Sequence, residues 1–219
     1  MFKDIYNMTV ENNILWAKRN IVDYIYDFIH LEGYDISYNN IYSIFNGYVA
    51  ESIQTDIVII INNLKYALYY IFNTINNDLN LNYIKEIHKN VGVNLVINYG
   101  QLRTGAVKIG GTSYIPSTPN EFTIRNTIYE LLNNNNTITE KALDVMLYLM
   151  RTQPFYDGNK RTSILIANKI LISNGKGILS IPVELINKFN TYLLEYYESN
   201  NSINLKTFLY KNCIDGVNV

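Results

Sequence analysis

The chain has 219 residues, 48% hydrophobic and 17% charged, enough to bury one sizeable core and too apolar for a disordered or fibrous protein. Lys plus Arg at 18 against Asp plus Glu at 19 give a net charge of -1, so no basic excess exists for general nucleic-acid binding. The longest aliphatic run, Ile57 to Ile61, falls far short of the ~20 residues a membrane span needs, the start Met1-Phe2-Lys3-Asp4-Ile5-Tyr6-Asn7 has no apolar core of signal-peptide length, and Cys213 is the single cysteine. The expectation is a cytoplasmic chain with no membrane partner and no internal disulfide.

Tyrosine stands at 20, and Ile and Asn are abundant as an AT-rich coding sequence would make them, so isolated Tyr or Asn residues carry little information. The run Asn133 to Asn136 is read as a polar connection. From Thr9 to Leu31, Ile14, Ile21, Ile25, Phe28 and Ile29 fall at helical spacing between a capping threonine and Gly33, which predicts one long amphipathic helix. Ser37 caps a short helix ending near Gly47. Ser52 to Asn73 is long enough for a buried central helix despite its β-branched run, and a fourth helix covers about Asn82 to Asn90.

The one strand signal lies between Ala106 and Ile115, where Val107 and Ile109 alternate with polar neighbours, Gly110-Gly111 supplies a turn, and Tyr114-Ile115 begins a return strand. Thr118-Pro119-Asn120-Glu121 then reads as a capping box opening a helix to about Leu132. Thr139 caps a helix through Met150, with Ala142, Leu143, Met146, Leu147 and Met150 on its apolar face. A helix from Asn159 to Asn174 ends at Gly175, and two more cover about Pro182 to Glu198 and Asn204 to Cys213. The fold class is all-α, a single domain over 1–219 with one small β-hairpin and no internal repeat.

Asp157-Gly158-Asn159-Lys160-Arg161 has the parts of an anion site. Unpaired N–H groups at a helix start point outward, Gly158 allows close approach of a phosphate, and Lys160 and Arg161 add positive charge. Asp157 is a natural Mg²⁺ ligand, because that cation is commonly held by one or two carboxylates plus phosphate oxygens. Spacing alone equally fits a turn followed by a charged first helical turn. His88 and His30 both read as structural.

The wider stretch Gln153-Pro154-Phe155-Tyr156-Asp157-Gly158-Asn159-Lys160-Arg161-Thr162 resembles the Fic (Fic/Doc) family signature HPFxDGNGRTxR. Gly105 to Pro116 resembles that family's hairpin flap, and Leu31-Glu32-Gly33 the end of its inhibitory helix, so the resemblance covers roughly residues 9 to 200. It implies a Fic fold with regulatory helices over about 1–50, a core over 52–200 carrying the motif at 153–162, and a C-terminal helix over 201–219. It further implies transfer of AMP, or less often another phosphate-containing group, from a nucleotide to a protein hydroxyl, with ATP as co-substrate and Mg²⁺ as cofactor. Asp157 would hold the metal, Gly158, Asn159 and Lys160 would line the anion hole, and Arg161 would grip a phosphate. Lys108, Ile109, Gly110, Gly111 and Tyr114 of the flap would clamp a target protein as an added strand, with self-modification and homo-oligomerisation left open. Glu32 would reach into the cradle and displace the nucleotide's terminal phosphate. The segments Asn46 to Val49 and Asn62 to Ala67 keep the spacing of the family's regulatory region, although Glu32 also reads as a plain glutamate beside a helix-ending glycine.

Three departures bear on that scheme. Gln153 stands where the family has its general-base histidine, and an amide accepts no proton at useful pH; a general base contributes ~10²–10⁴ in rate. Lys160 replaces the usual glycine and resembles the Doc branch, which transfers the terminal phosphate. Ile164 replaces the second arginine, with which Glu32 would pair, and Phe28 replaces the usual Ser/Thr four residues before Glu32, so any inhibition would be weakened or rerouted through Arg161. The sequence thus leaves three readings: an adenylyltransferase impaired by Gln153, a non-catalytic nucleotide-binding or interaction protein, and a Doc-like phosphotransferase.

Overall fold

The computed structural model describes residues 2–48 and 53–217. Val49 and Ser52, used above as a spacing mark and a helix start, lie outside them. In chain order the helices are α1 (Val10–Arg19), α2 (Ile21–Leu31), α3 (Tyr38–Phe45), α4 (Thr55–Asn73), α5 (Leu81–Gly92), α6 (Glu121–Asn133), α7 (Ile138–Thr152), α8 (Asn159–Ile172), α9 (Ile186–Ser199) and α10 (Ile203–Asn212). A 3-10 turn, Val183–Leu185, leads into α9.

Helix α8 is the hub, because every one of its residues except Lys160 is buried. A helix buried on all sides has to be surrounded, and α7 packs along it most extensively, with α5, α4 and α1 also against it. α2 and α3 pack on α4 on the N-terminal side, while α9 and α10 pair with each other and α10 reaches α7. Lys169, buried on α8, donates to the carbonyls of Thr74 and Ile75, where its charge meets the negative end of α4.

The expected single helix from Thr9 to Leu31 is two helices. The Asn20 carboxamide donates to Trp16 O (3.0 Å) in competition with the backbone, Asn20 leaves helical geometry at φ -105° and ψ 15°, and α2 starts at the next residue. The expected capping box at Thr118 is also displaced. Asn120 is the cap, accepting from Thr123 N (2.9 Å), which leaves Pro119 outside the helix and Glu121 in its first turn. Likewise Thr137, not Thr139, caps α7, by accepting from Glu140 N, and Thr139 instead holds the N-terminal segment through two 2.9 Å bonds to Asp4.

Residues 106–115 turn at Gly110-Gly111 as expected, with Gly111 at φ +80°, but form no ladder. Their alternation persists, since Val107 and Ile109 are half-buried between exposed Ala106, Lys108 and Gly110. The small two-stranded sheet is elsewhere: β1 (Ile178–Leu179) pairs antiparallel with β2 (Ile214–Asp215), Ile178 opposite Asp215 and Leu179 opposite Ile214. The flap arms make no cross-strand hydrogen bonds, and side chains of other elements hold the stems and residues 112–113.

The turn after α8 is confined by the N-terminal segment. Met8 N donates to Gly175 O (2.8 Å), Gly175 sits at φ +68°, and a Cβ there would lie 1.9 Å from Met8 O. Gly175→Ala therefore meets both a disfavoured backbone and a clash, and is expected to lower stability by about 2–4 kcal/mol in chemical denaturation. A change within ~0.5 kcal/mol would show that this junction is not a structural constraint.

Candidate functional site

The loop between α7 and α8 is held from inside by Asn159. Its Oδ1 accepts from Phe155 N (2.9 Å), its Nδ2 donates to Phe155 O (2.8 Å) and to Gln153 Oε1 (2.9 Å), and the side chain is buried. Gly158, the N-cap of α8, adopts φ +72° and ψ 8°, a left-handed conformation that glycine takes without penalty. Gly158 has no side chain to cap α8, so the N–H groups of Asn159, Lys160 and Arg161 have no partner among the described residues. Of the residues expected to line an anion hole, Asn159 and Lys160 have free backbone N–H groups, Gly158 N donates to Asp157 Oδ1, and the Asn159 side chain braces the loop.

Arg161 is 4% exposed and belongs to the same first turn of α8 as those N–H groups. Glu32 Oε2 is 3.1 Å from Arg161 Nε but out of line for a hydrogen bond, Asp157 Oδ2 is 3.8 Å from Arg161 Nη2, and buried Nη1 has no hydrogen-bond partner among the described residues. Leaving buried donors unmet costs about 1–3 kcal/mol each, which anionic oxygens placed there would recover. Lys160 Nζ donates to Leu31 O (3.2 Å) and lies 3.8 Å from Glu32 Oε1. The end of α2 thus faces the start of α8, and Glu32 reaches Arg161 directly, in line with Ile164 being buried where a second arginine was expected.

Asp157 presents a side chain that is 71% exposed, with Oδ1 accepting from Gly158 N (2.6 Å). No group of three His, Cys, Asp or Glu gathers among the described residues. One exposed carboxylate beside a phosphate site fits Mg²⁺, which is commonly held by one or two carboxylates plus phosphate oxygens. Beside it, Leu95, Val96, Ile97, Asn98 and Tyr156 line a cavity of about 410 Å³.

Gln153 ends α7 at φ 48° and ψ 61°, a left-handed conformation that costs a non-glycine residue of order 1 kcal/mol. Its Nε2 donates to Met150 O (2.6 Å) and its Oε1 accepts from Asn159, so the carboxamide is engaged on both sides. Glycines aside, the described residues with positive φ are Gln153 and three asparagines, Asn94, Asn98 and Asn200.

The flap is anchored by residues that sequence reading passed over. Arg103 is 1% exposed and donates only to backbone carbonyls, Glu198 accepts from Thr112 Oγ1 and Ser113 N, and Tyr156 Oη accepts from Gly105 N (3.0 Å). Tyr114 lies under the Arg151 guanidinium, 3.9 Å from its ring centre, and stacks on Tyr197. Lys108, Ile109 and Gly110 belong to the arms, whose backbone makes no ladder bond. Arg103 and Glu198 left no sequence signal, since each is a single charge in no motif.

His88 is buried and stacks face to face on Phe155 with ring centres 3.7 Å apart. Gly100 N donates to its Nδ1 (2.8 Å), which leaves the proton on Nε2 to be donated to Asp157 O (2.9 Å). The structural reading holds, and the ring also fixes the backbone of the carboxylate residue. Burial lowers the His88 pKa to about 4. Protonation therefore favours the unfolded chain, where an ordinary histidine titrates near ~6.5. Stability contributed by neutral His88 is complete above that value and is lost as pH falls toward 4, by up to about 1.4 kcal/mol per unit. Asp27, raised to about 6 by burial, works in the opposite direction, so the comparison must be between variants. His88→Gln is expected to flatten the loss between pH 6.5 and 4 in urea denaturation; parallel profiles would refute a buried neutral imidazole.

Residues 78–171 match the family model described as Fic/DOC family. The chain is 30% identical over 136 residues to the protein adenylyltransferase fic-1 of Caenorhabditis elegans, covering 59% of this chain and 25% of that protein, so it spans about a quarter of this relative's length. The fold is similar to the solved structure of Fic-1 from C. elegans, with a TM-score of 0.78 and 21% identity over 90% of this chain and 62% of that one. A Fic-domain-containing signalling protein from Bacteroides thetaiotaomicron gives 0.74 and 17%, over 93% and 86% of the two chains. BepC protein from Bartonella tribocorum, solved with bound AMPPNP, gives 0.53 and 15%, over 83% and 90%. Residues 78–171, which hold the flap, the motif loop and nearly all of the hub helix, thus match a Fic/DOC family domain, and the fold is that of the solved Fic structures.

Proposed function

We propose that the chain transfers AMP from ATP to a hydroxyl side chain of a protein, slowly as it stands, and that Glu32 restrains it. The observation that carries the reading is that one helix start holds three unpaired α8 N–H groups and the unpartnered buried Nη1 of Arg161, with the exposed Asp157 carboxylate just before it. That arrangement supports a polyphosphate ligand, because helix start and guanidinium are both matched to phosphate oxygens. Adenylyl transfer is taken from the activity named for the fic-1 relative, and AMPPNP bound to BepC supports an adenine nucleotide.

In this reading the acceptor oxygen forms a bond to the α-phosphorus, the bond to the β-phosphate oxygen breaks, and pyrophosphate leaves. Asp157 would hold Mg²⁺, which when bound neutralises charge on the phosphates. The α8 N–H groups and Arg161 orient the phosphates, while the unpaired flap arms offer an edge to an extended target segment. Glu32 places a carboxylate against Arg161 and Lys160, the two cations a terminal phosphate would also use. Gln153 orients the acceptor hydroxyl without taking its proton, which passes to solvent.

A second reading, a non-catalytic nucleotide-binding protein, is favoured by Gln153 itself, whose carboxamide is committed to Met150 and Asn159. A third, phosphoryl transfer, draws on Lys160 and Ile164. ATP labelled at the α or the γ phosphate, incubated with a lysate and either the parent chain or Glu32→Gly combined with Gln153→His, separates the three. The expected result is weak labelling by the parent and a gain of roughly 10²-fold or more in the double variant, from α-label alone. Labelling from γ alone would replace AMP transfer by phosphoryl transfer. Nucleotide binding with no labelling by either form would favour the non-catalytic reading.

A further inference from the structure

The flap and the turn at residue 153 belong to different parts of the chain, yet one side chain touches both. Arg103 Nε donates to Gln153 O (2.6 Å), Nη1 to Gly105 O (2.7 Å), and Nη2 to Ser117 O (2.6 Å), with longer contacts from Nη2 to Pro116 O (3.3 Å) and Thr152 O (3.4 Å). Its own N–H donates to Pro154 O (2.9 Å). Gly105 precedes the flap and Pro116-Ser117 follow it, so one guanidinium holds both stems and the start of the motif loop.

The choice of residue is informative. Arg103 is 1% exposed and forms no ion pair among the described residues, so its charge is met by carbonyl dipoles alone. Burying an arginine this way is a poor route to stability, because desolvating the cation costs several kcal/mol that an apolar side chain would not incur. What the guanidinium supplies is a rigid planar fork whose donors fix three carbonyl groups relative to one another. With no ladder between its arms, the flap has few other devices to set its height above the site. Tyr156 Oη and Glu198 grip it only at exposed positions.

We infer that Arg103 is a positioning residue: by tying both flap stems to the carbonyl of Gln153, it sets where a segment docked on the flap presents its hydroxyl to the phosphate site. It acts through the backbone of residues 105, 116–117 and 153. The kinetic part of this inference rests on the transfer reading above; the geometric part does not.

Two measurements on Arg103→Lys, which keeps the charge and loses the fork, test it. Hydrogen exchange of the folded chain is expected to show faster exchange over residues 104–117, with α8 as protected as in the parent. Tyr156→Phe, which removes the exposed tether to the same stem, is expected to speed exchange at residues 104–105 alone. In the background of Glu32→Gly with Gln153→His, Arg103→Lys is expected to lower kcat/KM for the acceptor protein by about 10- to 100-fold, with Mg-ATP affinity by calorimetry within about 2-fold of the parent. Should that background transfer no label at all, the transfer reading fails while hydrogen exchange still decides the role of Arg103. Unchanged flap exchange in Arg103→Lys overturns the inference, as does equal loss of nucleotide affinity and acceptor efficiency. Arg103→Gln is the second variant; if neither folds, Arg103 is a general stability residue and the positioning role falls.

Discussion

A buried guanidinium with unmet donors organises this molecule. Arg161 is held in the first turn of α8 by a helix whose other residues are almost all buried, so it cannot swing out to water, and its partners are a misaligned Glu32 and a distant Asp157. Among the described residues nothing else satisfies it. The free N–H groups that follow the left-handed Gly158 lie in the same helical turn as this guanidinium, so the positive end of α8 and the charge of Arg161 add there. α2 closes that field from the opposite side with its C-terminal carbonyl and one carboxylate. In the proposed function a phosphate would compete with this carboxylate, which meets Arg161 without good hydrogen-bond geometry.

Much of this was legible from sequence because it rests on local chemistry. The α7 and α8 helices follow from their apolar spacing, the turn into α8 from Asp157-Gly158, and the cation pair from Lys160-Arg161. Local competition escaped the reading: Asn20 splits the first helix through its own carboxamide, and Asn120 and Thr137 outcompete neighbouring cap residues two positions away. The flap turn was readable from Gly110-Gly111, but its lack of a ladder was not, because Arg103, Glu198 and Tyr156 hold the arms from distant positions in the chain.

Asparagine was the largest blind spot. Its abundance makes every single Asn look uninformative, yet among the described residues four are buried and act as substitutes for a peptide group. Asn159 exchanges both hydrogen bonds with Phe155, Asn168 does so with Leu179, Asn13 with Gly177, and Asn63 donates to Val91 and Val93. Each joins a helix to a second segment, the motif loop, β1, the turn before β1 or the end of α5, satisfying backbone groups that the core would otherwise leave unpaired. Composition bias and structural need overlap at these positions, and only tertiary structure separates them.

The central claim is that Arg161 and the start of α8 form a phosphate site that Glu32 partly occupies. Calorimetric titration of Mg-ATP into the parent chain, Glu32→Gly, Arg161→Ala and the Glu32→Gly Arg161→Ala pair tests this most directly. The account expects Glu32→Gly to bind more tightly than the parent, and removal of Arg161 to weaken binding at least ~10-fold in either background, as loss of charge-assisted hydrogen bonds should. Mg-ATP binding that is indifferent to Arg161 would contradict it.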